Sequence, residues 1–332
     1  MSKIKNIVLI ADRVKDHYGT TLKSSTLEFT EDDYFNALYS SLNEINSNLT
    51  YYNSPEDFMD NIKLHRNDVV LSVWSGEKSR NRKALVPSIC EAHNIPYVGA
   101  DSYLQIVSAD KHLSKNIGNQ YGIQSANDVL LSNPLDCWML ETLKFPIIIK
   151  PNFEGGSIGI FSNNVATNID EAKAVCKSLL ENFSPIIAEE YLIGQEVSVC
   201  IAGINQSIDV FQIMRQKIGD KVFFTHEILS AEVKKMHNCP RIIEPANHIL
   251  PAEEKEKLIQ LFNSLGKVEV MRIDGRINNN KFYLIELTPD CSLNITGSMS
   301  LAFRYSGYTY TNMLRKLIHN TIHLWEYQNA NK

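Results

Sequence analysis

The sequence predicts an α/β fold divided into three consecutive units, and three observations support this prediction. Short apolar runs alternate with helical patterns over the first hundred residues, which is typical of an open α/β sheet. An isoleucine-rich strand at Ile147–Pro151 then leads into a glycine loop. Near the carboxyl end, residues 268–288 alternate apolar and polar side chains with a period of two, which predicts two strands of a hairpin. We therefore expect an open α/β unit at 1–99, a small lid-like α+β unit at 100–184 and a larger α+β unit at 185–332.

The first unit is predicted to alternate four strands with three helices. The strands are expected at 4–11, 49–52, 68–73 and 95–98. The helices are expected at 31–43, from Ser54-Pro55 onward, and near 84–93. The second of these has a clear start signal, because Ser54 is a capping residue and proline follows it at the first helical position.

The other two units contain fewer helices and more strands. For the second unit we predict a helix at 111–121, strands near Val129 and at 147–151, and a helix at 170–182. For the third we predict strands at 186–190, 196–204 and 208–214, an irregular stretch at 215–250, a helix at 252–265, the hairpin at 268–287, a loop to Gly307 and a closing helix at 310–325.

Composition limits the class of partner. The chain has 332 residues with 33 basic and 38 acidic side chains interspersed, so no electrostatic footprint for nucleic acid appears. Its apolar runs are far shorter than the roughly 20 residues that cross a bilayer, and the amino terminus lacks a signal-peptide pattern. Six cysteines without a CxxC pair argue against a zinc site or a disulfide framework. We expect a cytoplasmic protein with small-molecule partners.

The predicted hairpin carries a polar face with two carboxylates. A three-residue turn at 278–280 places Asp274 opposite Leu284 and one diagonal from Glu286. Two carboxylates on one face suit Mg²⁺, which fills the rest of its coordination shell with water and phosphate oxygens. A solvated polar face is the alternative.

Two further segments have the character of nucleotide-binding elements. After Lys150, the loop 154–159 contains three glycines, whose backbone N–H groups can turn toward an anion, although an ordinary hairpin turn explains the same pattern. In segment 189–196, a strand ends in a turn before the carboxylate Glu196. Such a linker can offer backbone groups to a purine and an acid to a ribose, but an ordinary strand–turn–strand with exposed acids is equally simple.

Taken in order, several short segments resemble the ATP-grasp superfamily, and most closely the D-alanine:D-alanine ligase family. They are 94–99, 109–111 with Lys115, 150–159, 189–196, 272–274 and 284–286. The resemblance covers the chain from about residue 68 to its end. It implies a three-domain ATP-grasp architecture and an ATP-dependent ligase that joins a carboxylate to an amine through an acyl phosphate.

The resemblance also implies roles for individual residues. The residues that would bind ATP are Lys111, Lys150, Glu154, Gly155, Ser157, Glu189, Glu190, Leu192 and Glu196. Those that would hold Mg²⁺, with Mn²⁺ as an alternative, are Asp274, Glu286 and Thr288. Arg272, Gly156 and Ser157 would act in catalysis by stabilising developing negative charge.

Departures from the family pattern fall mainly in substrate positions. The acid that binds the first substrate's ammonium is missing after Ile10, where Asp12 is the substitute, and the acidic turn of the family is replaced by the basic segment 78–83, with Arg80 and Arg82. That segment is either a solvated helix start or a clamp for a carboxylate or phosphate. Ser298 follows an altered turn near the second substrate site, and Thr288 stands where the family has asparagine.

Three functional classes follow: a peptide-bond-forming ligase with altered substrates, another carboxylate-activating enzyme with a non-amino-acid acceptor, or a nucleotide-binding scaffold without catalysis. The partners are small carboxylates and amines, and a homodimer is an open alternative. The glycine loop and segment 219–238 are the candidate covers that exclude water. Cys291 is either a nucleophile or a packing residue, and His226 and His237 are either surface residues or contacts to phosphate or substrate.

Overall fold

The computed structural model describes residues 6–14, 25–77, 79–225, 227–228 and 241–330. Several predicted features therefore lie partly or wholly outside the described residues. These are the first two residues of the strand predicted at 4–11, Lys78, His226, His237, and residues 229–238 of the candidate cover 219–238.

The first sheet is parallel, and its central strand is fully buried. Its strands, in the order β2-β1-β3, are β1 (Ile7–Ile10), β2 (Leu49–Tyr52) and β3 (Val69–Ser72). Its helices are α1 (Asp32–Ile45), α2 (Pro55–Asp60) and α3 (Leu85–Ala92). All four side chains of β1 are buried, as expected for a central parallel strand with both faces covered.

The prediction of a fourth strand in this sheet is wrong. Residues 95–98 form only an isolated bridge between Tyr97 and Val70. The Val70 N–H donates to Pro96 at 2.9 Å, and the Val98 N–H donates to Val70 at 2.8 Å. Pro96 has no N–H with which to extend the ladder, so pairing stops after one bridge.

The helix predicted at Ser54-Pro55 is confirmed with its capping chemistry. The Ser54 hydroxyl accepts from the Asp57 N–H at 3.1 Å, which satisfies one of the unpaired donors at the start of α2. Pro55 occupies the first turn, where its missing N–H costs nothing.

A second, four-stranded sheet has the order β5-β8-β6-β7. The elements that follow α3 along the chain, up to the last strand of this sheet, are α4 (Ser102–Ala109), α5 (Lys111–Gln120), β4 (Gln124–Ser125), β5 (Asp128–Leu131), β6 (Ile147–Pro151), β7 (Val165–Ala166), α6 (Ile169–Leu180) and β8 (Ile186–Glu190). Strand β8, which lies beyond residue 184, pairs with both β5 and β6. The division into domains at residues 99 and 184 stays a prediction.

The third sheet is the largest among the described residues. It has the order β12-β10-β9-β13-β14-β4, with β11 beside β9. Its strands and the remaining helices are β9 (Gly194–Ile204), β10 (Ser207–Ile218), β11 (Phe223–Phe224), β12 (Arg241–Pro245), α7 (Ala252–Ser264), β13 (Val270–Asn278), β14 (Lys281–Thr288), α8 (Ser298–Tyr305) and α9 (Tyr310–Ala330).

Two predictions for this last region need correction. The stretch 215–250 is not wholly irregular, because β10 continues to Ile218 and pairs with β12. The predicted loop before Gly307 contains α8, whose buried face includes Met299 and Phe303. Helix α8 is short and depends on this burial for its stability, which local sequence pattern does not reveal.

One apolar core connects the two ends of the chain. Leu9 and Leu71 of the first sheet share a buried cluster with Leu314 and Leu317 of α9, and Met214 of the third sheet belongs to it as well. None of the helices in the described part of the chain has the length and apolar character that a membrane crossing requires.

Candidate active site

The hairpin of β13 and β14 places two carboxylates directly opposite each other. Asp274 pairs with Glu286 across the strands, whereas the predicted register had Asp274 opposite Leu284. The turn has two central residues, Asn279 and Asn280, both with positive φ (49° and 61°), and not three. A bulge between Asp274 and Gly275 then shifts the register by one residue.

Gly275 makes this bulge possible. A β-carbon at this position would overlap the Phe282 ring and the Tyr283 carbonyl oxygen. Only glycine allows the strands to approach so closely. The hairpin sequence therefore brings the two acids together by a different register from the one that alternation alone predicted.

Asp274 is held by three neighbouring side chains. Arg272 donates from Nε at 2.8 Å and from Nη2 at 2.7 Å, and the Ser198 hydroxyl donates at 2.7 Å. The Thr288 hydroxyl donates to Asp274 Oδ2 at 3.2 Å, the same oxygen that Arg272 Nη2 contacts. Burial works to lower the pKa of Arg272, but the Asp274 charge outweighs it and raises that pKa. Arg272 is therefore a fixed cation on the polar face of the hairpin.

Lys111 links the second carboxylate to the glycine loop. Its Nζ lies 3.3 Å from Glu286 Oε2 and donates to the backbone oxygen of Glu154. Lys111 is 5% exposed and starts α5, where Asp110 caps the helix by accepting from the Leu113 N–H at 3.0 Å. A buried cation thus stands between a candidate metal ligand and a candidate phosphate loop.

A second group of buried charges surrounds Glu189. Lys150 Nζ lies 2.7 Å from Glu189, Lys115 Nζ lies 2.5 Å from it, and Lys115 also contacts Asp128 at 3.1 Å. Burial alone would raise the pKa of Glu189, but the two lysines lower it to about 2. Burial and the nearby Lys115 and Lys111 charges lower the pKa of Lys150 despite Glu189. Glu189 is thus the counter-ion of two lysines at the edge of the site.

The glycine loop has the backbone of an anion-binding turn. Gly156, Ser157 and Gly159 have positive φ values of 59°, 66° and 70°. Turns that contain residues with positive φ can direct successive backbone N–H groups to one side, as in phosphate-binding nests. The carboxylate of Glu28 lies against Gly155, where any side chain would displace it.

An ion network closes this loop against the first unit. Arg82 Nη2 lies 2.9 Å from Glu154 and 3.3 Å from Glu28, and Lys83 Nζ lies 2.9 Å from Glu28 and 2.5 Å from Asp290. Part of the predicted basic segment therefore faces inward with its charges paired. Sequence reasoning missed Glu28, because an isolated acid gives no local signal.

The predicted adenine and ribose positions surround a second arginine. The Arg276 guanidinium donates to the Leu192 carbonyl and lies 3.0 Å from Glu196, and it stacks 4.6 Å from the Tyr191 ring centroid. Glu190 lies to one side, where it accepts from the Asn127 amide and the Lys144 N–H, each at 3.1 Å. Arg276 was not predicted, although it shares the polar parity of Arg272 and Asp274 and that pattern could have identified it.

The predicted substrate residues occupy separate places. Asp12 is 2% exposed and accepts from the Ser75 and Gly76 N–H groups at 2.9 and 2.8 Å, so it fixes the turn after β3. The Arg80 guanidinium lies 4.9 Å from the Phe153 ring centroid. Ser298 is buried at the start of α8 and accepts from the Gln216 amide at 3.3 Å.

Cys291 fits the packing role and not the nucleophilic one. The side chain is buried, and burial raises the pKa of its thiol to about 12 despite the nearby Arg272 charge. Since the thiolate is the nucleophile, this cysteine is inert near neutral pH.

The donor set suits a metal ion that is shared with phosphate. Within the described ranges, no three His, Cys, Asp or Glu side chains are grouped so that they could hold a metal ion by themselves. Asp274 and Glu286 supply two carboxylates, with the Thr288 hydroxyl beside them. Mg²⁺ takes this number of protein ligands when phosphate oxygens and water complete its shell, so the residues fit the ion.

Comparison with known proteins identifies a family that the chain matches. The family model "D-ala D-ala ligase C-terminus" matches residues 118–319. A D-alanine–D-alanine ligase of Fervidobacterium nodosum is 23% identical over 273 residues, which cover 77% of this chain and 82% of that protein.

Two solved structures are similar over nearly the whole length. The D-alanine–D-alanine ligase of Bacillus anthracis complexed with ATP has a TM-score of 0.72 at 19% identity, covering 98% of this chain and 100% of that one. The VanG D-Ala:D-Ser ligase of Enterococcus faecalis has a TM-score of 0.69 at 17% identity, covering 97% and 100%. The chain belongs to the D-alanine–D-alanine ligase family and is an ATP-dependent ligase that forms carbon–nitrogen bonds.

Proposed function

We propose that the protein joins the carboxylate of one amino-acid-like substrate to the amine of another through an acyl phosphate, with a substrate pair that differs from D-alanine with D-alanine. The observation that carries this proposal is the placement of Lys111 between Glu286 and the glycine loop. It sets a cation between a candidate metal ligand and a loop suited to phosphate.

The proposed phosphate site consists of Lys111, Lys150 and the loop 154–159. Both lysines are about 95% buried, so their charges act in a medium of low effective dielectric constant. Activating a carboxylate requires transfer of the γ-phosphoryl group, whose charge spreads over its oxygens in the transition state. Fixed cations and backbone N–H groups from Gly156 and Ser157 offset this charge without reorganisation.

The proposed Mg²⁺ site consists of Asp274, Glu286 and, more weakly, Thr288. Bound there, Mg²⁺ or Mn²⁺ would withdraw charge from the phosphoryl oxygens. Arg272 Nε donates to both oxygens of Asp274, and these contacts hold the carboxylate in a fixed orientation.

Arg272 is the proposed stabiliser of the second step. When an amine attacks the acyl phosphate, negative charge develops on the carbonyl oxygen, and phosphate leaves with the electrons of the broken C–O bond. A guanidinium that stays protonated at every working pH can donate to that oxygen. The raised pKa of Arg272 is consistent with this role.

The Arg82–Glu154 ion pair is proposed to keep the glycine loop closed during the reaction. An acyl phosphate is hydrolysed by water, so the site must exclude solvent between the two steps. Arg82 is 5% exposed and is also paired with Glu28, so it connects the first unit to the glycine loop.

Altered specificity is proposed from the residues around the substrate positions. The acid after β1, Asp12, is engaged by the Ser75 and Gly76 N–H groups. The basic residues Arg82 and Lys83 are matched by Glu28 and Asp290. We propose that Asp12, Arg80, Arg82 and Ser298 line or shape the substrate positions, and that these contacts select a different pair of substrates.

A pairwise matrix tests the proposal. Amino acids of both chiralities and small carboxylates are incubated two at a time with ATP and Mg²⁺, ADP is quantified, and products are identified by mass. We expect at least one pair to give an amide with one ADP per bond formed, and Glu286→Gln to abolish that product. Glu253→Gln serves as the matched control, because the Glu253 side chain is 82% exposed on α7. ADP release with hydroxylamine but with no amine pair would indicate a carboxylate-activating enzyme with another acceptor, and would contradict the proposal.

A further inference from the structure

Two exposed histidines lie one turn apart on the last helix. His319 and His323 are four residues apart in α9, so the helical period places them on the same face. Their ring centroids are 4.2 Å apart, with 46° between the ring planes. The opposite face of α9 is anchored in the core through Leu314 and Leu317, so the pair is presented by a fixed helix.

Several charged and polar side chains surround His319. Burial, His323 and Lys316 lower the pKa of His319, whereas Asp209 acts in the opposite direction. Lys316 Nζ lies 2.7 Å from Asp209, and the Asn320 amide donates to the same carboxylate at 2.8 Å. The Asp209 charge is thus already shared by two partners on α9, and the net effect on His319 is a lower pKa.

Two imidazole nitrogens define the kind of ion. Imidazole suits Ni²⁺, Cu²⁺ and Zn²⁺, whereas Mg²⁺ and Ca²⁺ prefer oxygen ligands. Histidines four residues apart on one helical face are a known geometry for shared metal ligation. Because the described residues contain no larger group of metal-ligating side chains, water or a ligand from outside would fill the other coordination positions.

We propose that His319 and His323 form a two-nitrogen surface site for a divalent transition-metal ion. The site shares no residue with the Mg²⁺ site proposed for ATP, and it stands whether or not that proposal is correct.

Calorimetric titration of the untagged, EDTA-stripped chain with Ni²⁺ tests this site, with Mg²⁺ in excess to occupy the hairpin carboxylates. We expect one Ni²⁺ per chain. His319→Gln and His323→Gln should each lower the affinity at least about tenfold, and the double variant should bind no more weakly than the weaker single variant, because chelation needs both rings. His248→Gln, which removes an exposed histidine elsewhere, should bind like the unaltered chain.

The electron paramagnetic resonance spectrum of bound Cu²⁺ supplies a readout that a structural role would not change. We expect hyperfine structure from two nitrogens, reduced to one in either single variant. Unchanged Ni²⁺ affinity in both single variants, or an equal loss in His248→Gln, would overturn the site. ADP formation with Mg²⁺ should be the same in the unaltered chain and in all four variants, so failure here is distinguishable from failure of the proposed ligase activity.

Discussion

Asp274 and Glu286 lie directly opposite each other because a bulge between the Asp274–Glu286 and Gly275–Leu284 pairs shifts the hairpin register by one residue. The two carboxylates can therefore share one cation more directly than the diagonal placement predicted from alternation would allow. This relationship makes the proposed metal site the most informative place for mutation.

Glu286→Gln should abolish ADP formation at ordinary Mg²⁺ concentrations, because it removes one of two charged oxygen ligands while keeping the shape of the side chain. Thr288→Asn should retain activity and lower the Mg²⁺ concentration that gives half-maximal rate, since an amide oxygen is a better ligand than a hydroxyl that already donates to Asp274. The measurement is ADP release as a function of Mg²⁺. Normal turnover by Glu286→Gln would exclude the proposed two-carboxylate site. A raised Mg²⁺ requirement in Thr288→Asn would contradict the role given to Thr288.

Lys111→Ala and Lys150→Ala should each reduce kcat/KM for ATP by about 30- to 1,000-fold, which corresponds to about 2 to 4 kcal/mol of transition-state stabilisation. The two variants should differ in stability. Lys150→Ala should also lower the melting temperature, because it leaves the buried Glu189 with one cation in place of two. Steady-state kinetics and thermal unfolding of both proteins check this. A near-normal rate in either folded variant would exclude that lysine from the phosphate site.

Arg82→Ala should raise the KM for ATP and for the carboxylate substrate together, each by about tenfold, because Arg82 bridges the glycine loop and Glu28. Arg82→Lys keeps the charge but loses the fork geometry, so an intermediate effect is expected. Arg66→Ala provides the control, since Arg66 is an exposed arginine of the same unit. If only the substrate KM rises, Arg82 contacts substrate directly and the closure role is wrong.

Glu189 should contribute to stability in a defined range of pH. Its pKa falls from 4.5 to about 2 on folding, so its contribution is fully present above about pH 4.5 and is lost as the pH falls toward 2. Glu189→Gln should lower the free energy of unfolding at pH 7 by about 3 to 5 kcal/mol, because Lys115 and Lys150 lose their shared counter-ion. It should also flatten the decline in stability between pH 4.5 and 2. Denaturant unfolding at several pH values measures both effects, with Glu253→Gln as the exposed control. If the free energy of unfolding of Glu189→Gln declined between pH 4.5 and 2 as steeply as that of the unaltered chain, Glu189 would not be ionised in the folded protein as described.

Much of the fold followed from sequence because its signals were local. Strands Leu49–Tyr52, Ile147–Pro151 and Ile186–Glu190 have the predicted bounds, and each is a short apolar or β-branched run. Helix α2 began where Ser54 and Pro55 predicted.

The errors came from contacts that a linear pattern does not contain. Helix α8 depends on tertiary burial, and the strand predicted at 95–98 failed because Pro96 cannot extend a ladder. The hairpin register depended on a close approach at Gly275 that alternation cannot reveal.

The candidate site was only partly predictable for the same reason. Lysines and acids in recognisable order indicated the candidate phosphate and metal positions, and the roles of these residues stay a prediction. Their partners Glu28 and Ser198 come from distant parts of the chain and carry no motif, whereas Arg276 lies on the polar face of the hairpin and could have been identified from its parity.

Transfer of oxygen-18 is the most direct test of the central claim. The carboxylate substrate identified by the pairwise matrix is labelled with oxygen-18 in both carboxyl oxygens, and the phosphate released during amide formation is analysed by mass. Attack of the carboxylate on the γ-phosphorus, followed by attack of the amine on the carbonyl carbon, predicts one labelled oxygen in each released phosphate and ADP as the nucleotide product. Unlabelled phosphate, or label appearing in AMP, would contradict an acyl-phosphate mechanism.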